Sequence, residues 1–343
     1  MPAPSTTAAR SPFALGLLVA LFSAATFGSS GTFGAALLEA GWTPGALVTA
    51  RITGAALVMA VPAVIAMRGH WHLLRRNVPR LLAYGVFAVA GCQFAYFMAV
   101  DHLSVGVALL LEYLAPVLIV GWAWARHGRR PSRLTSAGVG AAVLGLVFVL
   151  DVASGARLDV VGVLWGLLAA VGLVVFFLVA ADEDEALPPI SFAGGGLAVG
   201  AVGLLAVAAV GWLPMAASTD PVDLAGWSAP WWVAVVELAI VAGAVAYASG
   251  IAAARLLGGT IASFVGLSEV LFAIVFAWLI VGQAMSPVQV LGGVAVLAGV
   301  VMVKLGEGER PGAPLPADDV DAAIASGPEA GHGTDLAEPE RVH

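Results

Sequence analysis

The sequence has little charge and almost no cysteine. Only 11% of its 343 residues are charged, whereas soluble globular domains carry roughly 25%. Its one cysteine, Cys92, excludes an intramolecular disulfide, so nothing indicates an oxidising compartment. By contrast, 60% of the residues are hydrophobic and the mean hydropathy is +0.98. A water-soluble core cannot hide this much apolar surface, so the composition predicts an integral membrane protein whose partner is the lipid bilayer.

The net charge of −7 is concentrated at the carboxyl end. Residues 306–343 hold nine acidic residues and two arginines, and the remaining 13 acidic and 13 basic side chains balance. The chain has no global basic face, so no nucleic-acid partner is expected. The acidic tail and residues 1–12 are both predicted to be disordered. No cluster has metal-ligand spacing and no phosphate-binding loop occurs, so no metal, no cofactor and no use of ATP are expected.

Long apolar stretches predict an all-α membrane fold. A helix needs about 20 apolar residues to cross a bilayer. Ten stretches are candidates: 13–37, 44–67, 81–100, 104–125, 134–153, 160–181, 189–213, 230–254, 259–281 and 287–305. The first could be a signal peptide, because Arg10 precedes it, but the nine further spans favour a membrane helix.

The basic residues predict the direction of the spans. With ten spans, thirteen of the fifteen Lys and Arg residues fall on one side of the membrane, Arg157 on the other and Arg51 inside the second span. Basic loops stay in the cytoplasm. Both termini are therefore expected there, with the protein in a bacterial plasma membrane.

The chain contains an internal repeat. Residues 99–149 align without gaps on residues 253–303, at a shift of 154 positions, and share twelve identities that include Trp124 with Trp278. Five spans per repeat is an odd number, so the two halves must be inverted relative to each other. Inverted repeats with a site near the midplane are a recurring plan for secondary transporters. The two predicted five-helix domains are residues 13–153 and 160–305.

Two segments resemble a known family. They are LEYLAPVLIVGWAWARHGRRPS and GTIASFVGLSEVLFAIVFAWLIVGQAMSPVQVLGGVAVLAGVVMV. Together with ten spans in two halves, they look like the EamA-type transporters of the drug/metabolite transporter superfamily. The resemblance covers about residues 13–305 and implies the fold and the transport of small molecules, but not a particular substrate. The family often has a Glu-Pro pair in the second half and an acid at the end of span 9, where this chain has Glu269-Val270 and Gly282-Gln283.

Each half offers one acidic residue near the middle of the membrane. Glu112 lies in the fourth stretch and Glu269 in the ninth, and the repeat places Glu269 at Ala115, on nearly the same helical face as Glu112. A charge at mid-bilayer costs at least about 2.5–3.5 kcal/mol and usually faces a cavity or a partner. We interpret the pair as a split site for a proton, a cation or a substrate ammonium; the alternative is that each glutamate holds two helices together. Pro116 either loosens the helix beside Glu112 or simply kinks it.

Other polar residues within the spans are candidates for contact with a small-molecule substrate. They are Ser29, Ser30, Gln93, Tyr96 and Tyr247. The alternative is that such residues let helices approach closely or hydrogen-bond to one another. Arg51 and Glu237 lie at matching depth in the second and eighth stretches, and we predict a structural ion pair between them; the alternative is that Arg51 reaches toward the outer membrane interface.

The sequence therefore predicts a transporter and not an enzyme. A secondary transporter that exports an amino acid-like metabolite or a drug fits the two midplane carboxylates, and proton coupling is one mechanism for them. An importer of the same fold is left open, as is a homodimer. A membrane enzyme that modifies lipid is the alternative from another class, but it needs titratable side chains gathered at one face, and here they are dispersed.

Overall fold

The computed structural model describes residues 12–128, 131–151, 159–180 and 187–308. This part of the chain forms ten helical spans, numbered here in chain order. Six are continuous: span 1 (Pro12–Glu39), span 2 (Pro44–Ala66), span 5 (Arg133–Val149), span 6 (Val160–Ala180), span 7 (Pro189–Ala209) and span 10 (Pro287–Gly308). Among these described residues, nine spans are long and apolar enough to cross a membrane, and span 5 is a shorter apolar helix of 17 residues. The predicted ten-helix membrane fold is confirmed. Most of both predicted tails, and Arg157, lie outside the described residues.

Four spans are divided into pieces. Span 3 consists of Trp71–Ala83, the π-helical Tyr84–Gly91 and Cys92–Val100, and span 8 consists of Trp231–Val236, the π-helical Glu237–Val245 and Ala246–Leu257. Span 4 consists of Val105–Glu112 and Ala115–His127, and span 9 consists of Gly259–Gly266 and Ser268–Val281. The divisions of spans 3 and 4 recur 154 positions later in spans 8 and 9, to within about one residue. The two halves therefore share the irregular parts of their backbone as well as their regular helices.

Large apolar side chains cover the outside of the helices. Leu57, Val202 and Leu144 are 71%, 67% and 64% exposed. In water so much exposed apolar surface would drive aggregation. In a bilayer it faces lipid, while each helix satisfies its own backbone hydrogen bonds.

Spans 4 and 9 end alike, and spans 5 and 10 begin alike. Gly128 and Gly282 terminate spans 4 and 9 with φ of +64° and +69°, in the left-handed region that glycine adopts without strain. The Ser132 hydroxyl then accepts the N–H three residues further on at 3.0 Å, and the Ser286 hydroxyl does the same at 3.2 Å. Such hydroxyl caps start helices. Both pairs are 154 positions apart, so the repeated sequence produces repeated helix ends.

Spans 5 and 10 pack along a stripe of glycines. A Cβ added at Gly145 would lie 2.6 Å from the carbonyl oxygen of Gly292, and one added at Gly292 would lie 2.6 Å from that of Gly145. Gly138 and Gly299 face each other in the same reciprocal way, at 2.6 and 2.5 Å. The repeat aligns Gly138 with Gly292 and Gly145 with Gly299. Replacing each glycine of the Gly145–Gly292 contact by its repeat equivalent therefore gives the Gly138–Gly299 contact. This exchange is what a two-fold relation between the halves produces.

A short hairpin interrupts the helical chain between spans 7 and 8. Strands Val222–Leu224 and Trp227–Ala229 pair antiparallel around a turn at Ala225 and Gly226. The Ala225 N–H donates to the carbonyl of Ile280 at 2.6 Å, so the hairpin lies on the end of span 9. Hydropathy did not predict it, because three-residue strands give too short a periodic signal. We call this end of the molecule the hairpin face.

Candidate functional site

Glu112 is the last residue before the division of span 4. It is only 9% exposed. The second piece of the span starts at Ala115, so Pro116 lies in its first turn, where a missing N–H is tolerated. Because Pro116 cannot donate to the carbonyl four residues earlier, the helix loses a hydrogen bond at Glu112. The structure thus places the loosened backbone beside the carboxylate, and the functional role of Pro116 stays a prediction.

The Cys92 thiol is a polar neighbour of the Glu112 side chain. Its Sγ lies 3.4 Å from Glu112 Oε1 and 3.3 Å from the carbonyl oxygen of Ala169. A thiol has one weak donor, so its proton serves one of these two acceptors at a time. A role for Cys92 beside a carboxylate could not be predicted from the sequence, where a single cysteine only excludes a disulfide.

Glu269 lies in the first turn after the division of span 9. The piece that contains it begins at Ser268, although no proline is present to break the helix. A carboxylate in the first turn interacts favourably with the positive end of the helix dipole. Span 9 is therefore divided at the same place as span 4, with its acid after the division instead of before it.

Tyr113 connects the two divisions. It follows Glu112 directly, and its hydroxyl donates to Glu269 Oε2 at 2.8 Å. Its hydroxyl also lies 3.5 Å from the carbonyl of Gly266, the last residue before the division of span 9. The structure thus brings the two acidic segments together, through a tyrosine that sequence reasoning did not single out.

Arg51 and Glu237 do not form the direct ion pair that their depth had suggested. No contact within 4.0 Å joins them in the described chain. The Arg51 Nη1 donates to Gln93 Oε1 at 2.5 Å instead, and Ser29 Oγ donates to Glu237 Oε1 at 2.5 Å. That prediction is corrected, because each charged group has a nearer uncharged partner. The other carboxylate oxygen of Glu237 is buried and has no hydrogen-bond partner among the described residues.

The remaining candidates lie around spans 1, 3 and 8. Ser30 is buried in span 1. Tyr96 packs against span 1, since a Cβ at Gly31 would lie 2.3 Å from its hydroxyl oxygen. Tyr247 packs edge-on against Phe27, with ring centroids 5.1 Å apart. Ser30 and Tyr96 are buried and Tyr247 is partly buried, and the contact of these residues with a substrate stays a prediction.

A cavity of about 410 Å³ opens at the hairpin face. Its lining includes Asp101, His102 and Gln283. The side chain of Gln283, where the family often has an acid, accepts the N–H of Val105 at 3.0 Å and so caps span 4. Beside the cavity, the Gly162 N–H bonds to Asp159 at 3.0 Å and lowers the pKa of this carboxyl below its ordinary value, with a smaller contribution from His102 at 3.1 Å.

The described chain has ten spans in two repeats, and its two equivalent divided spans each hold an acidic residue at their contact. This is the plan of a membrane transporter. The chain belongs to the EamA-like transporter family, whose model matches residues 14–151 and 160–305. It is 20% identical over 300 residues to the "Uncharacterized inner membrane transporter YicL" of Salmonella typhimurium, covering 86% of this chain and 97% of that protein. A solved crystal structure of a protein with 21% identity, covering 85% of this chain and 96% of its own, aligns with a TM-score of 0.53 and shows the same fold.

Proposed function

We propose that this multi-pass membrane protein is a secondary active transporter that exports a small, amino acid-like metabolite or a drug. In this proposal Glu112 and Glu269 form one coupling site. The observation that carries the proposal is the hydrogen bond from Tyr113 to Glu269, because it joins the two halves at the divisions beside their acidic residues. The family and the relative's name support transport and argue against an enzyme.

Two carboxylates at the junction of the halves suit exchange of a proton for a cationic group. An ionised carboxylate accepts hydrogen bonds only, whereas a protonated one also donates. Protonation also neutralises the carboxylate, so it removes the attraction for a substrate ammonium, and release of the proton restores that attraction. If the site faces one side of the membrane and then the other, this competition drives the solute out as protons enter.

The divided spans supply places where the helices can bend. Spans 4 and 9 are each divided within one or two residues of an acid. Hinges are a few element-terminal residues that absorb a change in backbone angles. Bending at these two positions would change the access of the site while the glycine contact between spans 5 and 10 stays packed.

The orientation is proposed from the basic loops, with both termini in the cytoplasm. Thirteen of the fifteen Lys and Arg residues fall on the side of the termini. A reporter active only in the cytoplasm, fused after residue 305, is expected to be active, and a reporter active only in the periplasm is expected to be silent. Fusions at Gly226, in the hairpin, should give the opposite pair of results. A periplasmic signal at residue 305 would show that one span is miscounted or the orientation is reversed.

Solute efflux from whole cells tests the proposed function. Cells that contain the protein, preloaded with labelled amino acids or with cationic dyes, are expected to lose at least one solute faster than cells that lack it. Cells with the Glu112→Gln variant, checked for equal amounts in the membrane, provide the comparison at matched protein level. Faster uptake with no faster efflux would indicate an importer. No difference for any solute would contradict the proposed transport of these classes.

A further inference from the structure

Arg51 is a buried cation in the membrane interior whose contacts are all uncharged. It is 4% exposed, and no other Lys or Arg in the described ranges is buried to this degree. Its Nη1 donates to Gln93 and its Nη2 donates to the Ala242 carbonyl at 3.3 Å, while the Phe97 ring centroid lies 5.5 Å from its Cζ. Burying a charge without an opposite charge in contact is costly. The fold therefore bears a cost that packing alone does not explain.

Acidic groups lie around Arg51 without touching it. No ion pair within 4.0 Å joins Arg51 to Glu112, Glu237 or Glu269 in the described chain. The interior thus holds one buried cation and three acidic residues that make no direct contact with it. A solute with a negative and a positive group could contact both signs at once.

A small cavity lies against the Arg51 side chain. It measures about 10 Å³ and is lined by Arg51, Gln93 and Tyr247 together with apolar residues. This volume holds about one water molecule, so a solute enters only if the walls separate. Val89 and Gly243, which line the cavity, belong to the π-helical pieces of spans 3 and 8. π-Helical turns are frequent at functional sites, and here the irregular helices form two of the walls.

The donors around this cavity match a carboxylate. A guanidinium presents five N–H donors in a planar fork, of which two form the hydrogen bonds named above. That fork binds both oxygens of a carboxylate. Gln93 and Tyr247, which occupy equivalent positions in the repeat, add an amide and a hydroxyl from opposite halves of the chain. Within the described part of the chain, no acidic residue lines this cavity, so a bound carboxylate would not lie against another negative charge.

We propose that Arg51 recognises a carboxylate of the transported solute, with Gln93 and Tyr247 completing the pocket from the two halves of the chain. This inference rests on the proposed function and narrows it, because it requires an acid or a zwitterion and excludes solutes that are only cationic. It also replaces the structural role that the sequence had suggested for Arg51.

Pairs of probes that differ only in the carboxylate test this recognition. The purified full-length protein is mixed with neutral amino acids (alanine, leucine, phenylalanine and methionine) or with their amides at equal concentration, and thermal unfolding is recorded. At least one acid is expected to raise the Tm of the wild type more than its amide does. Arg51→Gln should weaken binding of that acid by at least about tenfold, and Arg51→Lys, which keeps the charge without the fork, should be intermediate.

Arg80→Gln is the matched control. Arg80 also donates to a carbonyl, that of Val179 at 2.9 Å, and lies over a ring, that of Phe192 at 5.7 Å, but it does not line this cavity. Acid binding by Arg80→Gln should equal that of the wild type. The proposal is wrong if no acid stabilises the wild type more than its amide, or if folded Arg51→Gln keeps the preference for acids. Transport of a dye with no preference for acids would leave the transporter function standing and overturn this inference alone.

Discussion

Replacing Glu269 by Gln should reduce solute efflux by about tenfold or more and remove its dependence on pH. The change keeps the shape of the side chain and its hydrogen bond with Tyr113, but it removes the charge and the titration. In the proposed mechanism the contact that is lost joins the charged carboxylate to the substrate ammonium. A hydrogen bond between charged groups is worth about 1.5–3 kcal/mol, which corresponds to a loss of about tenfold or more. Glu112→Gln should behave in the same way, since it supplies the other half of the site. Flux from proteoliposomes, recorded over a series of pH values, measures both effects.

Two further variants test whether the loss of flux is specific to the carboxylates of Glu112 and Glu269. Asp220→Asn removes an exposed carboxylate at the hairpin face, whose contact is with the Ser218 hydroxyl at 2.8 Å, and should leave flux unchanged. Tyr113→Phe removes only the hydroxyl that bonds to Glu269 and should reduce flux less than Glu269→Gln does. Full, pH-dependent flux in both glutamate variants would show that the acids only hold helices together.

Replacing Gly145 by Val should prevent correct assembly of the two halves. The added Cβ would lie 2.6 Å from the carbonyl oxygen of Gly292, and backbone cannot move aside as a flexible side chain can. Overpacking costs typically about 1–3 kcal/mol and occasionally more. We expect a large loss of monodisperse protein after detergent extraction, with a lower Tm in the fraction that remains. Size-exclusion profiles and thermal unfolding measure these quantities.

Gly140→Val provides the control on the same helix. Nothing lies within 4 Å of a Cβ added at Gly140, which is on the exposed side of span 5. This variant should be extracted and unfold like the wild type. If Gly145→Val is equally stable, the contact between spans 5 and 10 is looser than the structure shows.

Much of the fold could be predicted because hydropathy and the repeat act over long stretches of sequence. The length of the apolar stretches predicts the spans. The matched glycines, such as Gly138 and Gly292, identify the repeat and also form the contact between spans 5 and 10. The division of span 9 could not be predicted in this way, because Val270 stands where a proline would have signalled it. The hairpin at 222–229 is too short for a periodic pattern.

The candidate site could be predicted only in part, because depth in the membrane does not determine which side chains touch. Glu112 and Glu269 were predicted from their depth, whereas the link through Tyr113 depends on how spans 4 and 9 pack. The same limit explains the error over Arg51 and Glu237. Equal depth suggested contact, but Gln93 and Ser29 lie nearer to these two charges.

Proton movement driven by the solute tests the central claim most directly. Proteoliposomes that enclose a pH-sensitive dye are exposed to a gradient of a solute that the protein transports, with no pH gradient imposed. The wild type should move protons against the direction of the solute, and the Glu112→Gln/Glu269→Gln double variant should move none. Solute flux in the wild type without any proton movement would contradict the assignment of the two glutamates as a proton-coupled site.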